Sequence, residues 1–165
     1  MDVQAYFEEY RKYRKQKKVP EALEALEMMA QQLRPKEKPC ICANHLLEFY
    51  LVEYYFKTRD YETQTYPVHQ MYYSLAKILM ERMHFAQALE LLEKAREWNP
   101  VDLDILWAVT ECQKQLEQYD VLIETTKAIH PFIYTRADMA HYYRNLGFYY
   151  LEQYEPDPAI LLYYY

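Results

Sequence analysis

Hydrophobic residues between Tyr72 and Pro100 recur with the spacing of two helices that fold back on each other. One face of the first helix carries apolar residues at i, i+3, i+4 and i+7; they are Tyr72, Leu75, Ala76 and Leu79. The second helix presents Ala88, Leu92 and Ala95 on one face. Residues 83–85 leave room for only a short turn, so the pair is predicted to be antiparallel. Ala76 and Ala88 are small enough to let the two backbones approach closely.

The same spacing recurs 34 residues later, in a looser form. The shift places Val109 at the position of Leu75, Tyr119 at that of Phe85 and Leu122 at that of Ala88. Asp102 is predicted to cap the first helix of this second pair. Its second helix is predicted over residues 120–128, with a break near His130-Pro131.

A third pair begins 37 residues after the second, with three extra residues placed around Pro131-Phe132-Ile133. Its matching residues are Tyr143, Leu146, Gly147, Tyr150, Ala159 and Tyr163. Thr135 followed by Asp138 has the pattern of a capping box, and Asp157-Pro158 is predicted to start the last helix. That helix is apolar throughout, whereas stacked helical repeats normally end in a polar capping helix.

The first 67 residues show the pattern only weakly. A helix is predicted from Asp2 to about Lys18, and Pro20 opens a second helix from its first turn. Pro35 and Pro39 bracket a polar linker. A long helix buried on two faces is predicted from Cys40 to about Lys57. For residues 58–68 two alternatives stay open: a short irregular helix completes the unit, or the Cys40 helix packs alone against the next repeat.

The organising segment resembles a tetratricopeptide repeat. The residues that match its 34-residue pattern are Tyr72, Leu75, Ala76, Leu79, Ala88, Ala95 and Pro100, while Leu92 replaces the usual aromatic residue. The resemblance implies an all-α fold in which antiparallel helix pairs stack into a right-handed α-solenoid. It predicts a single helical domain over residues 1–165, with degenerate repeats in residues 1–67 and three recognisable repeats in residues 68–165, the last incomplete.

Composition agrees with this fold and excludes several functions. Hydrophobic residues make up 52% of the chain and glycine occurs once, so helices are favoured and turns with positive φ are expected to be nearly excluded. The net charge of −6 argues against nucleic-acid binding. The basic segment over residues 11–18 is interpreted as complementing the dipole of the first helix. No secretory signal or membrane span is predicted, and the odd number of cysteines favours the cytoplasm.

No catalytic, cofactor or metal site is predicted. Cys40, Cys42 and His45 form the only cluster of soft ligands, and two cysteines that are two apart on a helix point in different directions. A single glycine excludes phosphate-binding loops, and the only serine, Ser74, lies in no nucleophile motif. We therefore expect a protein that is not an enzyme.

The resemblance implies a peptide-binding surface on the concave face, which the first helix of each repeat lines. The candidate partner-binding residues are Tyr73, Lys77, Trp107, Glu111, Lys114, Arg144, Asn145 and Phe148. Tyr73, Trp107 and Phe148 form a predicted aromatic track, although Trp107 has the alternative of packing internally. Lys77, Arg144 and Asn145 correspond only in part to the carboxylate clamp of some family members.

The predicted function is therefore a non-catalytic scaffold that binds a protein or peptide, or a partner helix, on its concave face. One alternative is self-association into a homo-oligomer through the uncapped C-terminal helix. Another is the peptide-sensing part of a regulator, for which the chain shows no DNA-binding helix pair.

Overall fold

The computed structural model describes residues 2–34 and 38–164, which fold into helices and one two-stranded sheet. The helices are α1 (Val3–Lys15), α2 (Val19–Leu33), α3 (Leu46–Phe56), α4 (Val68–Glu81), α5 (Phe85–Trp98), α6 (Leu103–Gln115), α7 (Tyr119–Ile129), α8 (Arg136–Glu152) and α9 (Pro156–Tyr163). A 3-10 turn, His130–Phe132, follows α7. The strands are β1 (Cys40–Ile41) and β2 (Glu62–Thr63), which pair in parallel.

Eight of these helices form four hairpins, α1–α2, α4–α5, α6–α7 and α8–α9, each closed by a three-residue turn. Within the stack, α2 packs on α4, α5 on α6, and α7 on α8. Residues predicted to face one another do so, since Leu75, Ala76, Ala88 and Leu92 are fully buried in one core. The prediction of an all-α solenoid of antiparallel pairs is confirmed.

The four hairpin turns share one backbone geometry. Each contains a non-glycine residue with φ between 54° and 63°; these residues are Lys17, Met83, Glu117 and Tyr154. The next amide donates to the carbonyl five residues before it, as His84 N does to Leu79 O at 2.9 Å. This is the Schellman arrangement, in which a left-handed residue ends a helix. The expectation that one glycine nearly excludes positive φ was therefore wrong, because side-chain-bearing residues accept the strain here.

Several helix ends differ from the prediction by a few residues. α1 ends at Lys15 rather than Lys18, because residue 17 adopts the left-handed conformation that closes the turn. The predicted caps at Asp102 and Thr135 are confirmed, since both side chains accept hydrogen bonds from the first-turn amides of α6 and α8. α9 begins at Pro156, so Asp157 lies in its first turn instead of capping it.

The prediction of a long helix from Cys40 to Lys57 is wrong. Cys40 and Ile41 form strand β1, and the Cys42 amide donates to the Trp98 carbonyl oxygen at 2.8 Å, which draws the backbone out of helical pairing. The shorter helix α3 buries only Glu48 and Val52, so burial on two faces is also wrong. Val52 packs with Ile41 and Val101 in a small separate cluster.

Residues 34–67 form an insertion between two hairpins. Since α2 packs directly on α4, neither α3 nor residues 58–67 complete a repeat of their own. The linker predicted between Pro35 and Pro39 lies partly outside the described residues. Within the described parts of the chain, no helix combines the length and apolar character that crossing a bilayer requires.

The only glycine lies where α8 and α9 approach each other. A Cβ atom added to Gly147 would lie 3.0, 3.1 and 3.3 Å from three ring atoms of Tyr163. We expect Gly147→Leu to lower the free energy of unfolding by about 1–3 kcal/mol, because the added side chain overpacks this contact. The urea midpoint measures the change.

Gly147→Ala is the matched control for that substitution. The half-exposed Tyr163 ring has room to shift, and alanine gains about 1 kcal/mol of helix propensity over glycine, so its stability should change little. An unchanged midpoint for Gly147→Leu would contradict the close packing of α8 on α9.

Candidate peptide-binding face

The first helices of the last three hairpins, α4, α6 and α8, carry the candidate binding residues. On α4, Tyr73 is half-buried and the exposed Lys77 places its Nζ 5.5 Å from the centre of the Tyr73 ring. Burial, and then the carboxylates of Asp104 and Asp102, raise the pKa of Tyr73. Tyr73 and Lys77 therefore lie beside an acidic group at the start of α6.

Trp107 is covered by α8. Its ring stacks on His141 with centroids 4.4 Å apart, and its Nε1 donates to Asp138 Oδ1 at 3.0 Å. Only 7% of the residue is exposed, and it belongs to a core cluster with Leu103 and Ile129. These contacts therefore agree better with the alternative in which Trp107 packs internally than with an open aromatic track.

Lys114 and Phe148 form the most enclosed part of this face. The Lys114 side chain is 15% exposed, its Nζ lies 5.3 Å from the centre of the half-buried Phe148 ring, and it lies 3.6 Å from Glu111 Oε2. Burial lowers the pKa of Lys114, and the neighbouring Glu111 partly opposes this. An ammonium group is therefore held in an environment with little water and with one carboxylate partner.

Arg144 and His141 lie close to Lys114 on the same face. Arg144 is exposed, and its charge contributes to the lowered pKa values of both Lys114 and His141. Burial is the largest cause for His141, followed by the charges of Lys114 and Arg144. His141 was not among the predicted residues, although its position next to the predicted Arg144 on the same helical face was a usable signal.

Asn145 lies inside the stack. It is fully buried, and its Nδ2 donates to Thr110 Oγ1 at 3.0 Å and to Thr126 Oγ1 at 3.5 Å. These bonds connect α8 to α6 and α7. The structure brings Glu111, Lys114, Arg144 and Phe148 together, keeps Tyr73 and Lys77 one helix away, and directs Asn145 into the packing between helices.

α1 extends the same face on the other side of α4. Arg14 Nε donates to Ser74 Oγ at 3.0 Å, and the buried Tyr10 hydroxyl lies 2.6 Å from the same oxygen. A groove of about 380 Å³ runs between the two helices and includes Arg11 and Arg14. The basic segment that the sequence associated with the helix dipole thus also lines a groove.

A second polar cluster lies where α3, α4 and the α5–α6 connection meet. The Asn44 side-chain Nδ2 donates to Glu48 Oε1 at 3.0 Å and to Asp102 Oδ2 at 2.7 Å. Asn99 Nδ2 donates to Glu48 Oε2 at 2.8 Å. His69 Nε2 lies 2.9 Å from Asn44 Oδ1, an acceptor, so this nitrogen carries the proton. The cluster fixes the start of α3 on the solenoid.

His69 makes the stability of the protein depend on pH. Burial lowers its pKa, and the charges of Asp102 and Glu48 oppose that effect only in part. Just below pH 6.5 the unfolded chain binds more protons at this site than the folded one, so stability falls as pH falls. We expect a slope of at most about 1.4 kcal/mol per pH unit from this one group.

Urea unfolding at several pH values between about 7.5 and 5.5 measures this slope, and above that lower limit the carboxylates contribute little. His69→Gln should reduce the slope, and the part that remains includes the contribution of His141, whose pKa burial also lowers. Equal slopes in His69→Gln and the wild type would contradict the assignment.

The cysteines are buried and free of disulfides. Cys40 and Cys42 lie in extended chain at and after β1, so the argument that they diverge on a helix was wrong. Burial raises the pKa of both, to about 11 for Cys42. Among residues 2–34 and 38–164, no three His, Cys, Asp or Glu side chains gather closely enough to hold a metal ion.

Comparison with solved structures identifies the fold. The chain superposes on the crystal structure of MamA with a TM-score of 0.60 and 13% identity, covering 99% of this chain and 75% of that chain. It superposes on YrrB, described as a TPR protein with an unusual peptide-binding site, with a TM-score of 0.57 and 15% identity. That match covers 97% of this chain and 64% of YrrB. No protein-family model and no curated protein sequence matches the chain.

The chain therefore has the fold of tetratricopeptide-repeat proteins. Helices α4, α6 and α8 are each the first helix of a hairpin. The four hairpins, the shared turn geometry and the 34-residue spacing between the turn residues Met83 and Glu117 agree with that architecture.

Proposed function

We propose that the protein is a non-catalytic interaction scaffold that binds a peptide or a partner helix on the face formed by α4, α6 and α8. The observation that carries this proposal is the pair of cations, Lys114 and Arg144, that lies beside the half-buried Phe148 ring. Cations on a protein surface are normally fully hydrated, whereas here the Lys114 ammonium is partly desolvated over the Phe148 ring. A site of this kind gains binding energy when an anionic group arrives.

The arrangement favours a ligand that brings a carboxylate next to an apolar side chain. The exposed guanidinium of Arg144 forms paired hydrogen bonds with such a carboxylate, and Lys114 neutralises its charge. Phe148 offers apolar contact once Lys114 turns from the ring to the ligand. Towards α4, Tyr73 and Lys77 lie near Asp104, so the other end of a bound segment meets both signs of charge. A segment would therefore bind in a preferred direction.

The test uses a partner captured from the native cell by the tagged full chain and then purified. Arg144→Ala should weaken its binding at least tenfold in a calorimetric titration, because an exposed arginine next to an aromatic anchor is a typical hot-spot residue. The matched control is Lys127→Ala, which removes one exposed cation from α7, whose charge pairs with Glu124. Equal affinities for Arg144→Ala and wild type, or equal losses in both variants, would contradict binding at this face.

Self-association is a second candidate function, favoured by the apolar surface of α9. Ile160, Leu161 and Tyr163 are about half exposed or more. In a stack of hairpins such a surface is where a following hairpin packs, and a second copy of the chain offers one. Light scattering over a range of concentrations tests this, and a constant monomer mass would reject it.

Nucleic acid is not among the proposed partners, and a cytoplasmic location stays a prediction.

A further inference from the structure

We propose that the groove between α1 and α4 binds an acidic segment of a partner protein, in which aspartate or glutamate residues adjoin an apolar residue. The groove has a volume of about 380 Å³, at the lower end of the range of ligand sites. Three cations line it, Arg11, Arg14 and Lys15, and none of the described aspartates or glutamates does. The groove therefore concentrates positive charge on a chain whose net charge is −6.

Arg14 is held on one side and open on the other. Its Nε donates to Ser74 Oγ at 3.0 Å on the opposite helix, and the buried Tyr10 hydroxyl lies 2.6 Å from the same oxygen. Ser74 Oγ in turn donates to the Met71 carbonyl oxygen at 2.9 Å, so the group that receives Arg14 is itself fixed. Among the described residues, no acceptor is bonded to the two Nη groups of Arg14. This edge of a guanidinium binds a carboxylate through two parallel hydrogen bonds.

Arg11 lines the same groove one turn earlier on α1. Its guanidinium lies 5.7 Å from the centre of the Phe7 ring, so an apolar group covers one of its faces. Its carboxylate contact is Glu8 at 3.5 Å, and this pair is weak because both side chains are about half exposed. Arg14 and Lys15 follow at i+3 and i+4, spacings at which like charges on a helix repel each other. An anion in the groove would relieve that repulsion.

The helix dipole does not account for this arrangement. A cation in the last turn of α1 would complement the dipole from any orientation, but Arg14 extends across to α4, and Arg11 lies before the last turn. Within the described residues 2–34 and 38–164, Arg14 and Lys15 have no carboxylate oxygen within 4 Å, whereas the nearby Lys17 pairs with Glu81 at 3.1 Å. An anion-binding role accounts for both observations.

The positions of the cations favour a run of carboxylates over a single phosphate. Arg11 lies over Phe7 on α1, whereas Arg14 extends to Ser74 on α4, so the charges are spread along the groove. Successive acidic side chains match this spread, but one phosphate would require the cations to converge on it. Phe7 and Met71 also line the groove and offer contact to an adjoining apolar side chain.

The charge distribution argues against nucleic acid and against an anionic membrane. Both present many charges over a wide surface, and their affinity depends on the number of cations that meet them. Here the cations lie in one groove, Glu8 lies beside Arg11, and the whole chain is acidic. A short acidic segment of a protein needs only the groove itself.

Paired peptide selections test the proposal. A library of random 12-residue peptides is selected on the immobilised full chain and, in parallel, on the double variant Arg11→Gln, Arg14→Gln. We expect the wild type to enrich peptides in which aspartate or glutamate adjoins a leucine or an aromatic residue, and the double variant to lose them. In titrations the double variant should bind these peptides at least tenfold more weakly. The wild type should show the same loss when asparagine and glutamine replace their acidic residues.

Two controls separate the groove from net charge and from the α4–α6–α8 face. The double variant Lys12→Gln, Lys18→Gln makes the same change of net charge at exposed positions outside the groove, and it should lose less than threefold in affinity. Arg144→Ala should bind the selected peptides as well as the wild type. Circular dichroism shows whether Arg11→Gln, Arg14→Gln is folded. If it is not, Lys15→Gln, which removes an exposed cation of the groove, takes its place with at least a threefold loss.

Three results would overturn the proposal. The wild type and the folded groove variant could enrich the same peptides, the peptides that distinguish them could lack acidic residues, or the matched control could lose as much affinity. Two further probes check the class of anion: a selected peptide with phosphoserine in place of one acidic residue, and a 20-nucleotide single-stranded DNA. If the wild type bound either one tenfold more tightly than the selected peptide, the assignment to carboxylates would be wrong.

Discussion

Trp107→Ala is expected to lower the free energy of unfolding by about 3–5 kcal/mol, the range found when a large buried aromatic side chain is removed. The substitution empties a site between α6 and α8 and leaves His141 without its stacking partner. It also leaves Asp138 without the indole donor. Urea unfolding followed by circular dichroism measures the loss.

Trp107→Phe is the control for this substitution. It keeps an aromatic ring against His141, removes the hydrogen bond to Asp138 and leaves a smaller cavity than alanine does, so it should cost clearly less than alanine. If Trp107→Ala melted like the wild type but lost partner binding, Trp107 would be a groove residue after all. Stability and binding therefore have to be measured on the same variant.

Glu48→Ala is expected to destabilise the protein by about 2–3 kcal/mol, because buried donors lose a charged acceptor. The carboxylate of Glu48, which is 4% exposed, accepts from the Asn44 amide at 2.6 Å and from Asn99 Nδ2 at 2.8 Å. With these bonds and the one from Asn44 Nδ2 lost, the start of α3 should loosen, although the bond from Asn44 to Asp102 still ties it to the α5–α6 connection. Chemical unfolding gives the total loss, and hydrogen exchange shows whether the α3 amides lose protection first.

Glu53→Ala is the matched control, since it makes the same substitution one and a half turns further along α3. Glu53 is only half-buried and bonds to the Tyr61 hydroxyl at the edge of the insertion. Its removal should cost well under half as much. Equal losses at the two positions would mean that the buried bonds of Glu48 stabilise the fold no more than the bond between Glu53 and Tyr61 does.

The hairpins could be predicted from the sequence because their determinants are local. Leu75, Ala76 and Leu79 repeat with a helical period, and a turn of three residues leaves an antiparallel partner as the only option. Asp102 and Thr135 accept hydrogen bonds from amides two or three residues away, so their capping roles could also be predicted from the sequence. The local spacing of apolar and capping residues therefore predicted most of the fold.

The insertion could not be predicted, because its structure depends on distant parts of the chain. Residues 40–57 have the composition of a buried helix, but the Cys42 amide pairs with the end of α5, and Glu48 is held by Asn44 and by Asn99 of the α5–α6 connection. The apolar character that suggested burial on two faces belongs instead to an exposed surface. Nothing within residues 40–57 distinguishes these two outcomes.

The helices of the proposed binding face could be predicted from the sequence, but the contacts of its side chains could be predicted only in part. Register placed Lys114, Arg144 and Phe148 near one another, and the structure has them in contact or close to it. The same register gave no sign that His141 covers Trp107 or that Asn145 bonds to Thr110 and Thr126. Those contacts depend on the distance between α8 and α6. Helix packing sets that distance, and the helical period of the sequence does not predict it.

The insertion also changes how firmly the first hairpin is tethered. Residues 99–102 connect the second hairpin to the third, and residues 130–135 connect the third to the fourth. The connection between α2 and α4 is much longer and spans residues 34–67. While the insertion is still unfolded, a loop of 34 residues instead of 4 costs about 2 kcal/mol more in closure entropy. The α1–α2 hairpin therefore has the lowest effective concentration at its docking site. It should join the stack last during folding and, once the insertion opens, detach first, together with the groove that contains Arg14.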